Sequence, residues 1–428
     1  MRVIVAALFL ALCASVGLPG TARASSAAVV YPTGNASLDV ANVQTAVDGG
    51  GSVLLKSVNA GGVPTAFNFG PADFTGSWVT VLSDVDLEGE TIASGAMTTV
   101  QGGWGPIEIF NGANVTIAGI RFASPFYEAI FAFNAGSVRI VSDRIEHVVG
   151  QPVDGFLRSA GGIEVGGGVD VTIADNVIDD LDAEFSNGIE QYGALGRVEI
   201  SRNRITAFNT DGIEATQYTS RPGQGTSIHD NYIRTGVARY PRGAAGTPIE
   251  INGHGSYDVE RNELVVDNPN GAAVFAFGFE QFRFGPVTGA TIRHNTIRLN
   301  TEPFGAVGVA FLAEVSQAFV GQNQMFGVGF AALYTSGCAC EPASSLDSDT
   351  FVGNDIGSLH SGFADVFFGT PTHHATLVGQ SGTVVDLGTD DVITGFSAAG
   401  AGGVGKRFAD TFADRFARGP QFTGPRSR

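Results

Sequence analysis

The stretch VTIADNVIDDL, Val171–Leu181, decides the fold, because variants of it return along the chain. VEISRNRITAF begins at Val198, TSIHDNYIRTG at Thr226, YDVERNELVVD at Tyr257 and ATIRHNTIRLN at Ala290. Each has an apolar residue three positions before an Asn and another two after it. The frame holds at Asn176, Asn203, Asn231, Asn262, Asn295, Asn323 and Asn354, with gaps of 27, 28, 31, 33, 28 and 31 residues. VRIVSDRI, with Asp143 in the Asn position, is a variant one turn earlier, and VTIAGIRF at Val115 is an earlier one still. Residues before the Asn alternate apolar and polar, which is strand periodicity, and the Asn then turns the chain. Asn tolerates left-handed backbone and bonds neighbouring main chain. In turns stacked about 4.8 Å apart, each side-chain amide can bond the next in a ladder. An inward amide without its neighbour would be costly, so the ladder must be continuous. The Asn is therefore read as structural.

A fixed frame at variable gaps describes a fixed coil with loops of differing length, a solenoid. With these repeats the chain resembles the right-handed parallel β-helix superfamily, the pectate-lyase-like fold. The expectation is an all-β molecule, one chain wound into a right-handed parallel β-helix of about ten coils over residues 101–400. DVANVQTAVDGGGSVLLK reads as an Asp/Asn-capped amphipathic turn (Val43, Ala46, Val47) that closes the first coils within residues 25–100. At the other end Phe408, Phe412 and Phe416 recur every four residues, an amphipathic capping helix in residues 401–428 followed by a loose tail.

Composition narrows the setting. The 428 residues include 60 Gly, 31 Phe and only 15% charged residues, which suits many short strands and turns and excludes disorder. Residues 1–24 read as a secretory signal: Arg2, an apolar core, and Ala22-Arg23-Ala24 before the cut. A lipoprotein reading on Cys13 meets the bulky Leu12. Removing the signal takes Arg2 and Arg23 away and moves the net charge from −18 to −20. That charge excludes nucleic acid and anionic membranes as partners, and no later apolar run spans a membrane. A secreted or periplasmic monomer is expected. Cys338 and Cys340, one residue apart in GCACEP, can form neither a disulfide scaffold nor a zinc site.

Upstream of the Asn, a second motif recurs as GGIEVGG, NGIEQYG, DGIEATQ and TPIEING. Ile163, Ile189, Ile213 and Ile249 point inward by alternation, so Glu164, Glu190, Glu214 and Glu250 point outward on four successive coils. The column turns apolar at Phe131 before it and at Phe275 after it. Like charges on adjacent strands cost about 0.2–1 kcal/mol per pair, so the column needs a reason. Three readings stay open: a solvated face, a catalytic carboxylate group, or a calcium site. No cofactor other than that calcium is read. Neighbouring coils would put carboxylates about 5 Å apart, a retaining glycosidase spacing, while skipping one coil gives about 9–10 Å. Repulsion would raise at least one pKa and supply a general acid. Glu190 and Glu214, central and flanked by long loops, are the favoured catalytic pair. Tyr192 and Tyr218 are placed to stack on a sugar or to sit half-buried at the strand ends. Arg221, in the loop after Glu214, completes the substrate-binding candidates.

Two fragments are similar to polygalacturonase motifs: Asn209-Thr210-Asp211-Gly212-Ile213 and Gly253-His254-Gly255. The resemblance carries Asp211 and His254 over as catalytic candidates. The paired aspartates of that family are absent one coil later, and no Arg-x-Lys follows, because the only lysines are Lys56 and Lys406. A lyase would need a Lys or Arg base; Arg221, Arg239 and Arg242 lie in loops without a lyase motif. His147, His229, His294, His360, His373 and His374 have no metal-ligand spacing. In AVFAFGFEQFRFG, Phe275, Phe277 and Phe279 alternate; one set would fill the interior and leave Phe282 and Phe284 as an exposed strip. The reading is a polysaccharide-active protein, a glycoside hydrolase before a lyase, with a non-catalytic glycan-binding or surface protein as the alternative.

Overall fold

A computed structural model of the chain describes residues 27–93, 95–153, 157–218, 224–236, 239–240, 246–278, 285–337, 345–379 and 382–398. The expected signal segment, the C-terminal helix, Arg221, Arg242, both mature cysteines, Phe279, Phe282 and Phe284 lie outside these residues. The architecture is a right-handed parallel β-helix built from three parallel sheets that the chain visits in turn. Fourteen strands line the first sheet, from Ala28–Val30 to Val392–Thr394, and eleven line another, from Phe67–Asn68 to Asp355–Ser361. The remaining sheet runs from Val79–Val81 to Ser397–Ala398 and carries the glutamate column. The stack is longer than ten coils because coils before Asp143 and after Asn354 continue without a ladder Asn.

Parallel register makes equivalent residues stack. Ile173, Ile200, Ile228, Val259, Ile292, Val320 and Phe351 align one above another and are all buried. Burying each such side chain contributes about 1.5–3 kcal/mol, and the interior is a continuous column of them. One helix, Ala36–Asp48, closes the N-terminal end. Its N-cap is Asn35, whose side chain accepts from the Leu38 amide at 3.2 Å. Asp39 lies in the first turn, fully buried, and accepts from the amides of Thr33 (2.6 Å), Gly34 (3.0 Å) and Asn68 (2.8 Å). Val43 and Val47 face the coil interior and are buried.

The Asn ladder is continuous from Asn176 to Asn354. Each Nδ2 donates to the Oδ1 of the next Asn at 2.9 to 3.1 Å. The backbone amide of each ladder Asn donates to that same oxygen, as Asn203 does to Asn231 at 2.9 Å. The second Nδ2 proton reaches a carbonyl of the preceding coil, as Asn203 reaches Ile173 at 2.9 Å. One expectation is corrected: the left-handed residue is not the Asn but the one before it. Ser142, Asp175, Arg202, Asp230, Arg261, His294 and Gln322 have φ between 54° and 60°. The reason is directional. The Asn side chain must point inward to reach its neighbour, so the sharp bend falls one residue earlier, where the side chain faces out and its type is free to vary.

Asp143 stands at the N-terminal end of the ladder. Its amide donates to Asn176 Oδ1 at 2.9 Å and its Oδ1 accepts from Ile120 at 2.8 Å, while Oδ2 has no partner among the described residues. Burial pushes its carboxyl up to about 8, partly offset by the Ile120 amide.

Asn231→Ala strips the acceptor from two Asn203 donors and should cost on the order of 3 kcal/mol in denaturant unfolding. Asp143→Asn should stabilise by about 1–3 kcal/mol at pH 8 and by close to nothing at pH 4. The sign follows from the raised folded-state pKa: the folded chain holds a proton the unfolded chain releases, so the wild type loses stability as pH rises from about 4 to 8. Thermal melts of both proteins across that range check it.

Candidate functional site

The site forms where the helix stacks its GIE repeats. Register places Glu108, Phe131, Glu164, Glu190, Glu214, Glu250 and Phe275 in one column across seven adjacent strands. Two residues further along the strands, Tyr192, Thr216, Asn252 and Phe277 form a parallel column. Before it, Glu128, Gly161, Asn187, Asp211 and Thr247 form a third. Asp211 and Glu214 differ by three positions, yet both face outward. Strict alternation breaks between them because Gly212 and Ile213 both turn inward. The same break occurs at Gly188-Ile189, and a Cβ at Gly188 would lie 2.5 Å from both the Gly212 carbonyl oxygen and Ile205 Cγ2. The glycine of the GIE motif thus permits close packing, the isoleucine fills the core, and the glutamate is delivered to the outer face.

Six carboxyl groups meet on this face, arranged as three pairs. Glu128 is buried and shares a hydrogen bond with Glu164. Burial first, then the charges of Glu164 and Glu190, hold its pKa well above the usual carboxylate range. Asp211, also buried, shares a hydrogen bond with Glu250. Burial and the charges of Glu250 and Glu190 keep Asp211 protonated far above its ordinary range. Glu250 is raised to about 7 by burial, against hydrogen bonds from Asn252 and Asp211 that favour its charge. The Asn252 amide donates to Glu250 at 2.8 Å. Between these pairs, the Asn187 amide donates to Glu190 at 3.3 Å and to Glu214 at 2.9 Å, bridging adjacent coils. Glu214 is 2% exposed; burial, then the charges of Glu190, Glu250 and Asp211, push its pKa far up, while Asn187 opposes. Carboxylates this close cannot all ionise, so the face holds protonated and ionised groups side by side at neutral pH.

The tyrosines take different places. Tyr192 folds back over Gly166 of the preceding coil and its hydroxyl donates to Glu164 at 2.8 Å, with its pKa raised by burial and by that carboxylate. Tyr218 is 39% exposed, 6.3 Å from the Tyr192 ring, and raised to about 12 chiefly by burial. His254 follows the Glu250 strand and packs against Gly285, with no hydrogen bond to the column among the described residues. Arg239 pairs with Asp180. Phe275 and Phe277 do not fill the coil: Val274 and Ala276 do, and Phe275 stands outward beside Glu250. There it joins Ala310, Tyr334, Phe367 and Val385 in a second, buried apolar cluster outside the coil. Glu128 and Asn187 were missed by the sequence reading; alternation assigns them to the interior, and the inward pairs Ala129-Ile130 and Gly188-Ile189 turn them out.

Among the described residues no three His, Cys, Asp or Glu side chains converge where a metal ion could sit. No helix among them is long and apolar enough to cross a membrane. An open depression of about 770 Å³ lies elsewhere, on the fourteen-stranded sheet between Thr172, Glu199, Ser227 and Asp258. Its carboxylates Glu199 and Asp258 are nearly half exposed, and burial raises the pKa of Asp258.

A family model and one solved structure agree on the fold. A family model described as a right handed beta helix region matches residues 105–279. The surface protein and adhesin PfbA of Streptococcus pneumoniae superposes with a TM-score of 0.52 at 12% identity, covering 81% of this chain and 100% of that one. The A-module of the Azotobacter vinelandii mannuronan C-5 epimerase AlgE4 gives 0.44 at 10% identity, covering 83% and 96%. DFA-IIIase from Arthrobacter chlorophenolicus A6 gives 0.34 at 12% identity, covering 86% and 90%. A search of curated proteins finds no match. The repeats, the matched family model and the architecture make this chain a right-handed parallel β-helix protein.

The carboxyl pairs set a pH signature. The folded-state pKa of Glu250, about 7, exceeds its ordinary value of 4.5, so folding takes up a proton between those limits. Stability should therefore fall as pH rises from about 4.5 to 8, and Glu250→Gln should flatten part of that decline in thermal melts.

Proposed function

We propose that the protein is an exported glycoside hydrolase acting along the carboxylate column, with Glu214 as general acid and Glu190 as nucleophile. The observation that carries this reading is the pair itself. Two glutamates sit in register on adjacent coils, joined by the Asn187 amide, one buried with its pKa raised far up and the other half-buried. Adjacent coils are about 4.8 Å apart, the spacing range of a retaining pair rather than an inverting one. In the first step the Glu190 carboxylate attacks the anomeric carbon while the Glu214 proton passes to the departing glycosidic oxygen. In the second, Glu214 takes a proton from water, and that water displaces Glu190 from the sugar. Asn187 orients both groups, and Tyr192 holds Glu164 through its hydroxyl, one coil away. Burial and the negative charge of Glu190 and of the Asp211–Glu250 pair favour the acid form of Glu214.

Reducing-end release over a panel of neutral and acidic polysaccharides tests the reading. Glu190→Gln and Glu214→Gln should each lower kcat by about 10²-fold or more while the fold, by melting temperature, is kept. New absorbance near 235 nm would mean elimination and a lyase. Silence on every polysaccharide, with Glu214→Gln more heat-stable than wild type, would favour a surface protein whose column has no catalytic role.

A further inference from the structure

The chain has two tryptophans, Trp78 and Trp104, and the fold brings them together. Their ring centroids are 5.8 Å apart at an interplanar angle of 76°. Phe74 approaches Trp104 at the same 5.8 Å and 81°, and Phe126 at 5.0 Å and 75°. Phe74 is 51% exposed and Trp78 40% exposed, so two large apolar rings stand in water on either side of a third. Exposing them costs free energy, and clustered exposed rings mark a contact surface more often than a packing accident.

The loop that presents them is fixed in place. Asp73 accepts from the Thr75 amide at 2.7 Å and its hydroxyl at 2.6 Å, and Ser77 donates to the Phe69 carbonyl at 2.8 Å. At Gly76 a Cβ would lie 2.5 Å from the Pro71 oxygen and 2.6 Å from the Trp104 amide nitrogen, so the loop backbone rests directly on the Trp104 backbone. The rings are therefore pre-organised and little entropy is lost when a ligand lands on them.

The patch also connects to the carboxylate column. Trp78 directly precedes the strand Val79–Val81, Trp104 lies three residues before the strand Ile107–Ile109, and Glu108 lies in the column itself. Between this patch and the glutamates stand half-buried outward aromatics: Phe110 is 5.8 Å from Phe131, and Phe131 stacks on Phe133 at 6.4 Å and 2°. The Trp104 coil is three coils from Glu190, about 14 Å along the stack, roughly three sugar rings.

We infer that Trp78, Trp104 and Phe74 form a sugar-binding platform that holds a glycan chain by its apolar ring faces, three to four coils to the N-terminal side of Glu190. Stacked rings need no charge on the sugar and select for C–H faces on one side of the chain. This inference rests on the reading of the carboxylate face as a glycan site, but it can fail or hold separately. Because both tryptophans belong to the platform, intrinsic fluorescence reports its occupancy directly.

The test titrates the whole protein with hexasaccharides of glucose, xylose, mannose, N-acetylglucosamine and galacturonate while following tryptophan emission. At least one should shift or quench emission saturably. Trp78→Ala and Phe74→Ala should each weaken that binding about 3- to 10-fold at an unchanged melting temperature. A Trp78-dependent emission change without cleavage would support the platform and count against the hydrolase. Cleavage that depends on Glu190 and Glu214, with emission unmoved and Trp78→Ala binding unchanged, would overturn the platform and leave the hydrolase standing. Emission that responds only to protein concentration, with self-association lost in Trp78→Ala, would overturn it in favour of a second copy docking there.

Discussion

Parallel in-register stacking is the constraint on which the rest of this molecule depends. Each coil repeats the last at about 4.8 Å, so any residue kept in the frame meets its own kind above and below. For the Asn this is favourable, because an amide is both donor and acceptor, and the ladder from Asn176 to Asn354 closes every bond except at its ends. Asp143 shows the limit. A carboxyl can accept but cannot pass the bond on, and the buried oxygen it leaves behind costs stability unless it carries a proton.

For glutamate the same stacking is unfavourable, and the carboxylate face shows how that strain is relieved. Protons are shared within Glu128–Glu164 and Asp211–Glu250, and an amide is placed between Glu190 and Glu214. The result is a row in which Glu128, Asp211, Glu214 and Glu250 all have pKa values raised above the ordinary carboxylate range. A reaction that needs a proton donor beside a carboxylate would find both on this face. Hydrophobic neighbours bound the row: Phe131 on one side, and on the other Phe275, which opens the outer apolar cluster.

The frame of the fold was legible because its signals are periodic. The Asn spacing, the alternation before it and the inward isoleucines translate directly into coils, and Glu164, Glu190, Glu214 and Glu250 fall where alternation puts them. What alternation hides is its own interruption. Asn187 and Glu128 face the site only because two consecutive residues turn inward after them, and nothing in a period of two announces that. For Asn187 the recurrent Gly before Ile was the available signal, since a glycine kept beside a core residue marks close packing; on the Glu128 strand Ala129 stands in that place. The left-handed turn residue was placed one position late because residue type at a solvent-facing bend is unconstrained; arginine, histidine and glutamine all occur there. The outward Phe275 was obscured by the long apolar run around it, in which inner and outer faces read alike.

The proposed mechanism takes its two catalytic carboxylates from adjacent coils, not alternate ones. Proton NMR of the first sugar released, recorded before mutarotation, tests it most directly on whichever glycan the protein cleaves. The new reducing end should keep the anomeric configuration of the bond broken, as a pair one coil apart requires. An inverted first product would contradict it and move the chemistry to partners two coils apart, such as Glu164 with Glu214 or Glu190 with Glu250.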